Sequence, residues 1–170
     1  LPFEPDEHLR LGGPKCTYVG HALSERIDWI RAQDGADLRA RLGLDPLKKV
    51  LVVLPGSRVS EVTRLLAPFG DTVRLVRQAV PEGLEVLLPV VPSVRSAVEQ
   101  AAKAWAQPVQ FIEGDANKFA AFRLADAALA ASGTVTLELG LCGTPAVVAY
   151  KVDAVMSRMR FLLKARSVVL

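Results

Sequence analysis

Apolar positions along this chain switch repeatedly between two spacings. Residues 50–54 form an unbroken apolar run closed by Pro55-Gly56-Ser57-Arg58, as expected of a parallel strand buried on both faces. After it, Val62, Leu65, Leu66, Phe69, Val73 and Val76 recur at three- and four-residue steps, which predicts a long amphipathic helix. The alternation continues with strands over 84–88, 109–112, 127–131 and 146–150. The helices between them are expected over 94–106, 115–124 and 134–142, the last ended by Gly143 and Pro145. Upstream, residues 17–19 read as a short strand ending at Gly20. A helix over 23–32 follows, with Leu23, Ile27 and Ile30 on one face, and then a short helix over 37–42. Strand and helix alternate about six times, which specifies an α/β domain with a doubly wound, mainly parallel sheet.

Ligands of such sheets bind beyond the carboxyl ends of the strands. The loops after Leu54, Pro89, Ile112 and Ala131 are therefore where chemistry is expected. At the last of these, a strand of small residues runs through Ser132-Gly133-Thr134 into a helix start. Exposed backbone N–H groups and the positive end of the helix dipole suit an anion there. Glu138 lies one turn further on the same face, where a carboxylate can accept the two hydroxyls of a ribose. The same residues also fit an ordinary helix cap with a surface glutamate.

After the first long strand, Gly56 allows close backbone approach to a ligand, and Arg58 can clamp phosphate or sugar oxygens through paired N–H groups. Ser57 as a plain cap, with Arg58 exposed and Glu61 in the first turn, is the other reading. The third candidate is the strand end Phe111-Ile112-Glu113-Gly114, whose backbone groups can hydrogen-bond a base edge. It reads equally as a strand end followed by an Asp115 cap.

Composition narrows the field. At 170 residues and 51% apolar, one domain with a full core is expected, and disorder is excluded. A net charge of +3, with no basic block interleaved with aromatics, suits an anionic ligand and gives no ground for nucleic acid. Cys16 and Cys142 lie far apart and form no metal motif, so two reduced, largely buried thiols of a cytosolic protein are expected. His21 sits in a loop and suits a structural or interdomain contact. The chain lacks a GxGxxG fingerprint, which argues against a dinucleotide site, and an Asp-x-Asp pair, which argues against a metal-dependent sugar transferase. No apolar run reaches membrane-spanning length and no signal peptide is seen. The chain starts without Met and ends inside an apolar run, which reads as a fragment of a longer protein. Residues 155–164 combine an apolar stripe (Val155, Met159, Leu162) with Arg158, Arg160 and Lys164. A basic helix of this kind sits at an anionic membrane surface or packs on protein.

Taken together, Leu1-Pro2-Phe3-Glu4-Pro5, Tyr18-Val19-Gly20-His21, Leu54-Pro55-Gly56-Ser57-Arg58 with Glu61, Phe111-Ile112-Glu113-Gly114, Ala131-Ser132-Gly133-Thr134 with Leu137-Glu138, and the run 147–152 resemble the lipid-A-disaccharide synthase family in order and spacing. The resemblance implies one half of a GT-B glycosyltransferase with two Rossmann-like domains. It divides the chain into 1–20, the end of an interdomain connection and a first strand; 21–152, the UDP-sugar-binding domain; and 153–170, the start of a C-terminal helical segment.

The implied activity transfers 2,3-diacylglucosamine from UDP to 2,3-diacylglucosamine 1-phosphate (lipid X), at the cytoplasmic face of the inner membrane in Gram-negative bacteria. No metal or other cofactor is expected. Arg58 would stabilise the leaving diphosphate, with Gly56, Ser57, Ser132, Gly133 and Thr134 around it; Glu138 would hold the ribose, and the 111–114 strand end the uracil. The chain departs from the family pattern in lacking the N-terminal acceptor domain, with its catalytic base, and the final helices. Catalysis is expected to need that domain, and a homodimer is left open. A UDP-sugar 2-epimerase of the same architecture, a non-catalytic nucleotide-binding module and, least well supported, a dehydrogenase domain are the competing readings.

Overall fold

The computed structural model describes residues 4–105 and 108–151. Five strands form one sheet: β1 (Lys49–Leu54), β2 (Leu84–Pro89), β3 (Gln110–Ile112), β4 (Ala127–Ala131) and β5 (Ala146–Ala149). Their order is β3-β2-β1-β4-β5 and every pairing is parallel. The chain moves outward from β1 to β3, returns to the centre, and moves outward again on the other side. The direction of winding thus reverses between β1 and β4.

Burial explains why β1 is the centre. Val50, Val52 and Leu54 face Phe119, Phe122 and Leu139 in one core cluster, while Val53 and Leu51 face Val62, Leu66 and Phe69 in the other. An unbroken apolar run is what a strand covered on both sides requires. Each fully buried apolar side chain contributes about 1.5–3 kcal/mol relative to exposure. One face is covered by α2 (Ile27–Arg31), α3 (Gly35–Arg41), α6 (Asp115–Leu124) and α7 (Val135–Cys142). The other is covered by α4 (Val59–Ala79) and α5 (Arg95–Ala102). Pro68 lies inside α4 and withholds one backbone donor, yet the helix runs through it, because Val62, Leu65, Leu66, Phe69 and Val73 anchor both halves to the sheet. β5 forms an edge and leaves Val147 and Val148 exposed.

Most expected elements form, and those over 115–124 and 127–131 have the expected bounds. Others differ. Residues 17–19 make no strand: Val19 is 92% exposed, and among the described residues no strand pairs with it. The helix expected over 23–32 is a 3-10 segment, Ala22–Arg26, continued by α2. His21 starts it, its Nδ1 accepting the Leu23 N–H at 3.1 Å. A helix not anticipated from the sequence, α1, spans Glu4–Arg10. The helix expected over 94–106 is shorter, with a 3-10 turn at Pro92–Val94 and α5 ending at Ala102. Beyond it Trp105 packs against Gly70, leaving no room for a Cβ there. Cys16 is exposed and Cys142 half-buried, against the expectation that both be buried. Both are free thiols, and burial raises that of Cys142. The basic helix expected over 155–163 lies outside the described residues.

At the amino-terminal edge of the sheet, Asp126 ties β1 to β4. Its Oδ2 accepts the Val50 N–H at 2.8 Å, its Oδ1 meets Lys49 Nζ at 3.0 Å, and its own N–H donates to the Val50 carbonyl. Partial burial raises the Asp126 carboxyl, but the Val50 hydrogen bond and the Lys49 ammonium outweigh this and hold it below its usual value. A depressed folded-state pKa adds stability above the unfolded value that is lost as pH falls through the folded value. We therefore expect Asp126→Ala to cost about 1 kcal/mol at neutral pH. In denaturant titrations the gap to wild type should narrow in acid; a gap that stays constant with pH would rule this clamp out.

Candidate functional site

A cleft of about 530 Å³ opens at the carboxyl ends of β1, β2, β3 and β4. This is where the winding direction reverses, the position at which open α/β sheets take ligands. Four loops wall it, and three of them lead straight into a helix: β1 into α4, β3 into α6 and β4 into α7. Parallel strands bring the starts of these helices to one edge of the sheet, so their positive dipole ends converge there.

Of the residues singled out from the sequence, Gly56, Ser57, Arg58, Ile112, Gly114, Ser132, Gly133, Thr134 and Glu138 line this cleft together. Phe111 does not. Successive residues of a strand point to opposite faces, so the Phe111 side chain lies in a separate groove with Trp105 and Val109. Glu113 is exposed and pairs with Arg95. The backbone carbonyls of the 112–114 strand end are already engaged: Ile112 accepts from Val90 N–H, Glu113 from Asn117 Nδ2, and Gly114 from Lys118 N–H.

The β1–α4 loop is held from inside by Glu61. Its Oε2 accepts the N–H groups of Ser57 (3.2 Å) and Arg58 (3.4 Å), and its Oε1 meets Arg58 Nη1 at 2.9 Å. Gly56 has φ +116°, and a Cβ there would lie 2.6 Å from Glu61 Oε2. Only glycine suits this turn, on both conformational and steric grounds. Ser57 is therefore not the helix cap, because the Glu61 carboxylate serves instead. Arg58 stands at the lip of the cleft with its side chain 78% exposed.

At the β4–α7 loop, Thr134 makes no capping hydrogen bond through its side chain. Thr136 Oγ1 satisfies the Gly133 carbonyl at 2.8 Å, and the first helical N–H bonds come from Thr136, Leu137 and Glu138. The N–H groups of Gly133, Thr134 and Val135 precede those bonds, at the end where a helix favours an anion. Ser132 donates its N–H to the Ala149 carbonyl, which fixes the loop to β5. At the β3–α6 loop the cap position is Gly114, with φ +81°, and Asp115 is the first helical residue rather than the cap.

The loop after Pro89, expected from the sequence to face a ligand, lines the cleft with an apolar wall of Pro89, Val90, Val91 and Pro92. One feature was not picked out from the sequence: Lys118, one turn into α6, which meets Glu138 Oε1 at 3.1 Å and Asp115 Oδ1 at 3.4 Å. The signal for Lys118 was its position three residues after Asp115 at a helix start facing the cleft. Among the described residues, no three His, Cys, Asp or Glu side chains are grouped to hold a metal, and no helix is long and apolar enough to cross a membrane.

Comparison with known proteins bears on this arrangement. HepE of Anabaena, in a structure with UDP-glucose, superposes with a TM-score of 0.51 at 19% identity, covering 90% of this chain and 44% of that one. A family 9 glycosyl transferase of Veillonella parvula superposes with a TM-score of 0.53 at 13% identity, covering 71% of this chain and 34% of that one. These likenesses bear on the fold alone and agree with a Rossmann-like α/β domain built on a parallel sheet. The lipid-A-disaccharide synthase of Nitrobacter winogradskyi is 46% identical across all of this chain, and that of Rhodopseudomonas palustris strain HaA2 is 47% identical. The chain spans 42% of the length of each. The sequence profile described as lipid-A-disaccharide synthetase matches residues 1–168, so the chain belongs to the lipid-A-disaccharide synthase family.

Proposed function

We propose that this chain is the donor-binding domain of a lipid-A-disaccharide synthase. In this reading the full-length protein transfers 2,3-diacylglucosamine from UDP to lipid X, releasing UDP. The observation that carries it is the convergence of three helix starts, Arg58 and Glu138 on one cleft at the reversal point of the sheet. In the bound state the N–H groups of Gly133, Thr134 and Val135 and the Arg58 guanidinium hold the diphosphate. Glu138 accepts ribose hydroxyls. Uracil lies at the 112–114 strand end, recognised by N–H donors rather than by the engaged carbonyls. Arg58 exchanges its Glu61 contact for the diphosphate as the ligand arrives.

Transfer needs charge stabilisation on the departing diphosphate as the anomeric C–O bond breaks. Backbone donors already in place, joined by the Arg58 guanidinium once it leaves Glu61, supply it without a metal. The acceptor hydroxyl attacks from the opposite side and inverts the anomeric carbon. A base on the second, acceptor-binding domain takes its proton. Both substrates carry acyl chains, so the reaction belongs at the cytoplasmic surface of the inner membrane, with residues 155–164 as one contact.

A transfer assay on the full-length protein with labelled lipid X tests the reading; failure to form disaccharide from UDP-2,3-diacylglucosamine would refute it. In the same assay Arg58→Ala should lower turnover about 10²-fold, with no change in thermal midpoint because the side chain is largely exposed. A variant as active as wild type would remove Arg58 from the mechanism. EDTA should leave turnover unchanged, whereas activity lost to chelation and restored by magnesium would show that a cation, not the helix starts, carries the charge.

A further inference from the structure

Lys118 holds together two carboxylates that belong to different helices. Its Nζ lies 3.1 Å from Oε1 of Glu138 on α7, 3.4 Å from Oδ1 of Asp115 on α6, and 4.5 Å from the centroid of the Phe119 ring. Glu138 is the most sheltered of the three charged groups, with its side chain 17% exposed against 24% for Lys118 and 57% for Asp115. Asp115 has a second cation at its other oxygen, Arg26 Nη2 at 3.5 Å, and that guanidinium stacks on Trp29. All three members of the triad line the cleft.

Two consequences follow from charge and geometry. Without Lys118, the cleft would present the unneutralised carboxylate of Glu138 beside any bound diphosphate, and like charges repel; Asp115 would keep Arg26. With it, one oxygen of Glu138 is occupied, so the carboxylate cannot spin freely about its last bond. The other oxygen is then presented in a fixed direction. A hydrogen bond to a charged acceptor discriminates only when that acceptor is held still and is left unpaired by the wrong ligand.

On the reading that this cleft takes UDP, we infer that Lys118 is a positioning residue. It orients Glu138 for a vicinal diol and makes the cleft select ribonucleoside over 2′-deoxyribonucleoside diphosphates. Lys118 acts through Glu138 and does not itself touch the reacting atoms.

The test is calorimetric titration of the full-length protein with UDP and with 2′-deoxy-UDP. Wild type should bind UDP the more tightly. Lys118→Met should weaken UDP binding about tenfold and bring the two affinities together, as Glu138→Gln should. Lys118→Gln keeps a donor for Glu138 without the charge, so it should lose UDP affinity while retaining discrimination. Lys118→Arg should restore both.

A Lys118→Met protein that discriminates like wild type, while Glu138→Gln does not, overturns the role of Lys118 and leaves the site reading intact. If Lys118→Met fails to fold, Lys118→Ala, which also removes the donor, is read in its place, and wild-type discrimination in it overturns the role in the same way. A wild-type protein that binds neither nucleotide refutes the site reading itself, and the role of Lys118 with it.

Discussion

Backbone N–H groups at the start of a helix have no partner within the helix, and this protein gathers three such starts at one edge of its sheet. Everything at the cleft depends on that gathering. It depends in turn on parallel strands, since only parallel pairing sends each connecting helix back with its start at the carboxyl edge. Parallel pairing is sustained here by burial on both faces of β1, where alternate residues serve two separate cores. A polar residue at Val52 or Val53 would therefore damage the cleft from a distance, by loosening the strand whose end forms its floor.

The charges at the cleft are arranged around the same constraint. Three carboxylates line it, and each has a partner: Glu61 takes loop N–H groups and Arg58, while Glu138 and Asp115 share Lys118. Glu61 occupies a helix start as an internal anion, which shapes the Gly56 turn and leaves Arg58 at the lip. The helix starts at Gly133 and Gly114 carry no such carboxylate cap. An incoming anion thus meets donors already fixed in place, which reduces the reorganisation needed when charge develops on it.

The sequence revealed most where one signal sufficed. Residues 50–54 read as a two-sided strand from their unbroken apolar run, and 115–124 and 127–131 came out with their true ends because Gly114 and the small residues of β4 punctuate them. It misled where structure is set by neighbours. Tyr18 and Val19 favour a strand, but a strand needs a partner, and none pairs with them among the described residues. Ser57, Asp115 and Thr134 all look like caps, yet Glu61, Gly114 and a hydroxyl two residues later change what each does. Phe111 shared a motif with Ile112 and Gly114, but strand alternation turns its side chain to the far face. Lys118 was passed over as a site residue because its place after Asp115 is a weak signal by itself: its partner Glu138 is twenty positions away and meets it only through packing of α6 on α7.

The account stands or falls on where a nucleoside diphosphate touches the chain. At 18.3 kDa the chain suits amide NMR, and titration of the labelled protein with UDP reads every backbone N–H separately. The account predicts the largest shifts at Gly56, Ser57, Arg58, Gly114, Gly133, Thr134 and Val135, the loops that open the three helices. Shifts confined instead to the groove of Trp105 and Phe111, with those loops unmoved, would contradict it.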